Sequence, residues 1–202
     1  MESIHLSTLD IGIIITALTG MSALGLWAGR STEKSLEGYF LGGRNLPWAL
    51  AGLSMVATTF AADTPLAVTE IVAMDGISGN WLWWNLLAGG MLTAVVFAPL
   101  WRRAGVVTEA ELIELRYHGK PALWLRVFRA LYLGLFINLL ILGWVHVAMT
   151  SVLEGLFGLP PSTAFWLTTG LTVLVALYAA SSGLFGVVLT DAVQFVLAMA
   201  GF

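Results

Sequence analysis

The chain has 202 residues, of which 58% are hydrophobic and only 10% are charged, and its mean hydropathy is +0.89. A soluble domain of this length carries far more charge, so the composition indicates an all-α polytopic membrane protein. The net charge of −3 gives no sign of nucleic acid as a partner, and the absence of cysteine excludes disulfides. The N-terminus has Glu2, His5 and Asp10 but no base, which predicts a retained first helix rather than a signal peptide.

Apolar runs separated by polar intervals predict about six transmembrane helices. They lie near residues 10–29, 46–74, 77–101, 123–154, 163–180 and 186–202. Between the third and fourth, Thr108–Glu111 has the form of a capping box and predicts a short helix that continues to Arg116. The last run has only about 17 residues where a span needs roughly 20, so we expect the chain to be truncated at its C-terminus.

The second predicted span, Leu46–Met74, is interrupted in its middle by Asp63, Thr64 and Pro65. Proline disrupts the turn before it, and Asp and Thr favour turns over helix interiors, so we expect unwinding within about residues 57–65. Broken backbone at membrane depth persists where it lines a cavity, and in transporters it holds substrate and coupling ion. The alternative is a proline-kinked structural helix with Asp63 near one surface.

The basic residues predict the orientation of the chain in the membrane. All nine fall in two loops, with Arg30, Lys34 and Arg44 in one and Arg102, Arg103, Arg116, Lys120, Arg126 and Arg129 in the other. The loops follow the first and third spans and therefore share a side. The positive-inside rule makes that side cytoplasmic, so the N-terminus is expected outside.

Four stretches resemble the sodium:solute symporter family, which includes sodium/proline, sodium/glucose and pantothenate symporters. They are YFLGGRNLP at 39–47, AGLSMVATT at 51–59, TEAELIELRY at 108–117 and GLFGVVLTDAVQ at 183–194, in the family's order and with similar spacing. The chain departs from the family at Ser182, where glycine is usual, and at Thr59, where the proline symporters carry aspartate.

The resemblance implies the leucine-transporter fold, in which this chain would supply a leading helix and the first five-helix inverted repeat. It also implies a sodium ion beside the break, held by the backbone carbonyls of Ala57 and Phe60. Carbonyls freed at the C-terminal end of a helix suit a hard cation. The side chains of Thr58 and Thr59 are further candidate ligands, although β-branched residues in apolar helices usually only pack.

Asp191 is a candidate for the sodium route to the cytoplasm, a role the resemblance implies, because a carboxylate within a span is costly unless it faces water or a partner. The alternative is a solvated Asp near a helix start. Asp63, Thr64 and Asn85 are the candidate residues for substrate binding. His146 is interpreted as a hydrogen-bonded packing residue, with proton relay as the alternative.

The predicted function is sodium-coupled symport of a small organic solute across the cytoplasmic membrane by alternating access, with Na⁺ as coupling ion and the lipid bilayer as surroundings. Proton coupling is one alternative, and a sensory or regulatory membrane domain of the same fold is another. An enzyme is not expected, because the chain has no paired catalytic carboxylates, no histidines at metal-ligand spacing and no nucleophile motif.

Overall fold

The computed structural model describes residues 7–30, 35–59 and 61–201, and these residues form helices and connections without a strand. Two short 3₁₀ segments lie at Gly42–Arg44 and Ile77–Asn80, and two π segments lie at Thr93–Phe97 and Tyr132–Ile137. The α-helices are α1 Thr8–Arg30, α2 Leu36–Leu41, α3 Trp48–Ala57, α4 Asp63–Asp75, α5 Trp81–Trp84, α6 Leu86–Leu92, α7 Ala98–Ala104, α8 Glu109–Arg116, α9 Gly119–Leu131, α10 Asn138–Phe157 and α11 Pro161–Gly201.

Four stretches of the described chain are long and apolar enough to cross a membrane: Thr8–Arg30, Ile77–Ala104, Gly119–Phe157 and Pro161–Ala200. The middle two are each built from helices joined through a π segment, and they extend a few residues beyond the predicted spans. The extension is physically reasonable because long basic side chains at a helix end can reach the interface while the backbone stays helical. The all-helical membrane class is therefore confirmed, while the count of six spans and the five-helix repeat stay predictions.

The last helix, α11, reverses direction at one residue. Gly183 has φ 64° and ψ −174°, a conformation that side chains with a Cβ rarely adopt. A methyl group added at Gly25 of α1 would lie 3.0 Å from Tyr178 Cδ2 and 3.5 Å from Thr190 Cγ2, so residues before and after Gly183 reach the same part of α1. The hairpin has a first limb, 161–182, and a second limb, 184–201, of about 33 and 27 Å at 1.5 Å per residue.

The chain separates into two compact units. The terminal unit contains residues 1–62 and 145–202, and the central unit contains residues 63–144. In the terminal unit α1 and α3 pack on the α11 hairpin through small side chains. Its most buried residues include Ala28, Ala164, Ser182 and Thr190, each no more than 1% exposed. Small residues let helix backbones approach closely, which is how helices associate in membranes.

The short helix α2 is fixed to the bend of the hairpin. Ser35 caps its N-terminus, accepting a 2.9 Å hydrogen bond from the Gly38 N–H. The Tyr39 hydroxyl donates a 2.7 Å bond to the carbonyl of Ala180, one of the last carbonyls of the first limb. Such carbonyls lack a partner within their own helix, so Tyr39 satisfies one of them and anchors α2 there.

In the central unit the helix that the capping-box pattern predicts is confirmed, but the return bond of the box comes from the Val107 N–H rather than from the Thr108 N–H. Thr108 precedes α8 with extended backbone, and its hydroxyl accepts a bond from the Glu111 N–H, while the Glu111 carboxylate accepts one from the Val107 N–H at 2.6 Å. The helix ends at Arg116 as expected. Two ion pairs, Glu109–Arg129 and Glu114–Arg126, then join α8 to α9.

Candidate functional site

The interval between α3 and α4 covers residues 58–62, which is shorter than the expected 57–65. At the end of α3 the Thr59 N–H bonds to the Val56 carbonyl, three residues back rather than four, so the helix tightens and stops. Pro65 lies inside the first turn of α4, where a missing N–H removes no intrahelical bond. Asp63, Thr64 and Pro65, which were expected to form part of the break, therefore begin the next helix.

The candidate sodium ligands lie at the C-terminal end of α3. Ala57 is the last helical residue and is half-buried. The hydroxyls of Thr58 and Thr59 donate to the carbonyls of Met55 and Val56 at 2.8 and 2.6 Å, so their hydrogens are held by the preceding turn. The predicted ligand Phe60 lies outside the described residues.

Asp191 lies in the second limb of α11 and contacts α3. Its Oδ2 accepts a 2.6 Å hydrogen bond from the hydroxyl of Ser54, which is 7% exposed and lies one turn before Ala57. Asp191 itself is half-buried, and none of the ion pairs among the described residues involves it. The structure thus brings an uncompensated carboxylate to the helix that ends at the candidate sodium site.

The three candidate residues for substrate binding belong to the central unit, whereas Ala57 and Asp191 belong to the terminal unit. Asp63 is the first residue of α4, and its Oδ1 is buried without a hydrogen-bond partner among the described residues. Thr64 follows it and is half-buried, while Asn85 is exposed in the connection between α5 and α6. Of the three side chains, Asp63 alone has this buried, unpartnered oxygen.

Comparison with known proteins shows the family to which this chain is similar. The model of the sodium:solute symporter family matches residues 39–202, from α2 to the end of α11. The chain belongs to the sodium:solute symporter family. The resemblance drawn from the four motifs is therefore confirmed.

The chain is similar to several cotransporters of this family. It is 30% identical to sodium/glucose cotransporter 1 of Oryctolagus cuniculus over 95% of this chain and 28% of that protein. It is 30% identical to the sodium/glucose cotransporter of Vibrio parahaemolyticus, over 98% of this chain and 36% of that protein. The human sodium/iodide cotransporter is also 30% identical, over 96% of this chain and 29% of that protein.

The chain thus spans about a third of the length of these curated relatives. Their names describe transport proteins rather than enzymes. No solved structure matches the chain.

His146 makes the contacts of a hydrogen-bonded packing residue. The Thr169 hydroxyl donates to the Phe165 carbonyl at 2.8 Å and therefore accepts from His146 Nε2 at 3.0 Å. The imidazole ring also lies against the Phe165 ring, with centroids 5.0 Å apart. These contacts fix the ring between α10 and the first limb of α11 and favour the packing interpretation.

Two features of the terminal unit escaped the sequence reasoning. One is Ser54, a single hydroxyl in an apolar helix, which gave no sign that it meets a carboxylate 137 positions away. The other is a cavity of about 210 Å³ between α1 and the two limbs of α11. Most of its lining is apolar and none of it is charged, so a cation would find no counter-charge there. The lining consists of Ala17, Leu18, Met21, Ser22, Leu174, Val175, Tyr178, Gln194 and Leu197.

Proposed function

We propose that this protein is a sodium-coupled symporter that moves a small organic solute across the cytoplasmic membrane by alternating access. Membership of the sodium:solute symporter family supports the class of function. The observation that carries the proposal is local. An apolar helix stops at Ala57, and one turn earlier Ser54 contacts Asp191, a carboxylate that no ion pair among the described residues involves.

Sodium is the transported ion, and the end of α3 suits it chemically. Sodium is a hard cation that takes oxygen ligands, and the C-terminal end of a helix presents carbonyls with partial negative charge. We assign the carbonyls of Ala57 and Phe60 as ligands, with the oxygens of Thr58 and Thr59 as additional candidates. Because the Thr58 hydroxyl hydrogen points to the carbonyl of Met55, an oxygen lone pair of Thr58 can face an ion without breaking that bond.

Asp191 lies on the proposed route of the ion toward the cytoplasm. A carboxylate within a span is costly unless it faces water or a partner, which favours a functional role for Asp191. Its hydrogen bond from Ser54 offsets part of that cost. A passing sodium ion would supply the missing charge.

The orientation of the chain gives this route its direction. We place the two basic loops on the cytoplasmic side and the N-terminus outside. The start of α3 and the bend of α11 at Gly183 then face the cytoplasm, because α3 follows the first basic loop and α2, from that same loop, is anchored at the bend.

The solute is bound, in this proposal, with the help of Asp63, Thr64 and Asn85. The relatives are named for glucose and for iodide, so family membership does not choose between solutes. The unpartnered buried oxygen of Asp63 fits a donor group, either a hydroxyl or a protonated amine.

Uptake into proteoliposomes tests the proposal. The full-length protein is reconstituted and offered sugars, amino acids, carboxylates and iodide under an inward sodium gradient, with choline as the replacement cation. We expect accumulation of at least one solute that depends on sodium. Accumulation driven by a proton gradient alone would favour proton coupling, and no accumulation of any solute would favour the sensory alternative.

A further inference from the structure

The contact between Ser54 and Asp191 is a hydrogen bond between the side chains of two packed helices. Ser54 lies in α3 and Asp191 in the second limb of α11, and their side chains form one 2.6 Å hydrogen bond. The serine is 7% exposed, so water does not readily replace it as donor. Hydrogen bonds to an ionised carboxylate are shorter and stronger than those between neutral groups, and this contact has that form.

The position of the pair relative to the proposed sodium site follows from helix geometry. Ser54 and Ala57 are three residues apart, so they share a face of α3 and differ by about 4.5 Å along its axis. Helix carbonyls point toward the C-terminus, so the sodium site lies beyond Ala57 and the Ser54–Asp191 pair lies behind it. In the proposed orientation, an ion that leaves the sodium site toward the cytoplasm meets the Ser54–Asp191 pair about one helical turn of α3 closer to the cytoplasm.

A sodium ion bound to Oδ2 of Asp191 weakens the hydrogen bond from Ser54, because the positive charge of the ion repels the hydroxyl hydrogen that this oxygen accepts. The carboxylate has lone pairs enough for both partners, so the effect is electrostatic repulsion and not exclusion from the oxygen. A serine hydroxyl rotates freely about its Cβ–Oγ bond, so it can turn its hydrogen away and leave the carboxylate to the ion. Arrival of the ion would then remove a direct bond between α3 and the α11 hairpin.

We propose that Ser54 is a positioning residue that latches α3 to Asp191 on the cytoplasmic side, and that sodium opens the latch as it leaves. The latch deepens the proposed function and rests on it for the identity of the ion. It assigns Ser54 a conformational role, because breaking the hydrogen bond lets the start of α3 move from α11. A serine that only fills space would have no such dependence on Asp191.

The test measures opening of the cytoplasmic side directly. Leu50 is half-buried one turn before Ser54 on the same face of α3, so a cysteine there reports access to the start of the helix. The full-length protein carrying Leu50→Cys as its sole cysteine is labelled with a polar thiol reagent in sodium-free buffer. Ser54→Ala should raise the labelling rate by at least about twofold, the lower end of coupling between contacting residues.

A double-mutant cycle separates the latch from a purely structural role. Asp191→Ala should raise labelling to a similar extent, and Ser54→Ala should add little in that background. Ser22→Ala is the matched control, because among the described residues the Ser22 hydroxyl bonds to the Leu18 carbonyl of its own helix. This variant should leave the labelling rate unchanged. If Ser54→Ala does not fold, Asp191→Ala alone carries the same expectation.

Two results would overturn the latch. One is an unchanged labelling rate in Ser54→Ala or, if that variant does not fold, in Asp191→Ala. The other is an effect of Ser54→Ala that persists undiminished beside Asp191→Ala. Labelling needs no transport, so these outcomes are independent of the uptake assay. A protein that fails in uptake but keeps the coupled labelling refutes sodium symport, and with it sodium as the ion that opens the latch, while the coupling of Ser54 to Asp191 stands. A protein that transports without coupled labelling refutes the latch alone.

Discussion

Gly29 of α1 packs so closely on the bend of α11 that even one methyl group should destabilise the protein. A Cβ built on Gly29 lies 2.5 Å from the Cα of Ser182 and 3.0 Å from the carbonyl oxygen of Ser181. Both are backbone atoms next to the hinge at Gly183, so no side chain can rotate away to relieve the clash. Gly29→Ala must therefore push α1 from the hairpin that carries Asp191.

The loss of stability expected for Gly29→Ala is judged against the same substitution at another position in α1. Overpacking of this kind costs about 1–3 kcal/mol. Alanine favours a helix interior over glycine by roughly 1 kcal/mol, which would hide part of that cost. Gly20 provides the control, because a Cβ there meets nothing within 4 Å. Both variants replace glycine by alanine, so the gain in helix propensity cancels when they are compared. Gly29→Ala should therefore be less stable than Gly20→Ala by about 1–3 kcal/mol.

Equilibrium unfolding of the purified full-length protein in mild detergent measures the difference, with helix content as the signal. Gly20→Ala should be as stable as the parent or slightly more stable. Equal stability of the two variants would refute the close packing of α1 on Ser182, and with it the described position of the α11 hairpin.

Two further predictions concern orientation and the attachment of α2. Cysteines introduced as Ser35→Cys and His118→Cys should react with an impermeant thiol reagent only from the cytoplasmic side, and Ser3→Cys only from outside; labelling of Ser35→Cys in intact cells would reverse the topology. Tyr39→Phe keeps the ring but loses the bond to the Ala180 carbonyl, and should lower unfolding stability by about 1 kcal/mol, whereas unchanged stability would mean that this bond does not hold α2 in place.

The sequence was sufficient to predict those features that depend only on residues close together in the chain. The capping box at Thr108–Glu111 needs only residues within one turn, and the structure has the helix where the motif indicates. The bend at Gly183 has a similar origin, since its positive φ is a property of a single residue. The interruption of the second span was signalled by Pro65, but its limits were not, because proline is tolerated in the first turn of a helix as well as in a break.

Contacts between distant segments could not be read from the same signals. Ser54 appeared in the sequence as one small polar residue in an apolar helix, and its pairing with Asp191 depends on how α3 packs on the second limb of α11. The same holds for Gly29, whose role is decided by the backbone of Ser182 rather than by neighbours in sequence. The residues that position the candidate site are therefore set by tertiary packing.

The central claim is that the end of α3 holds the coupling ion through backbone oxygens. Carbonyl ligands cannot be removed by changing side chains, so the most direct measurement is a structure of the full-length protein determined in sodium and again in choline. We predict that α3 stays interrupted after Ala57 and that sodium gives ion density within about 3 Å of the Ala57 carbonyl, as contact with a hard cation requires. Regular helical hydrogen bonding through residues 57–66, or no sodium-dependent density at that carbonyl, would contradict it.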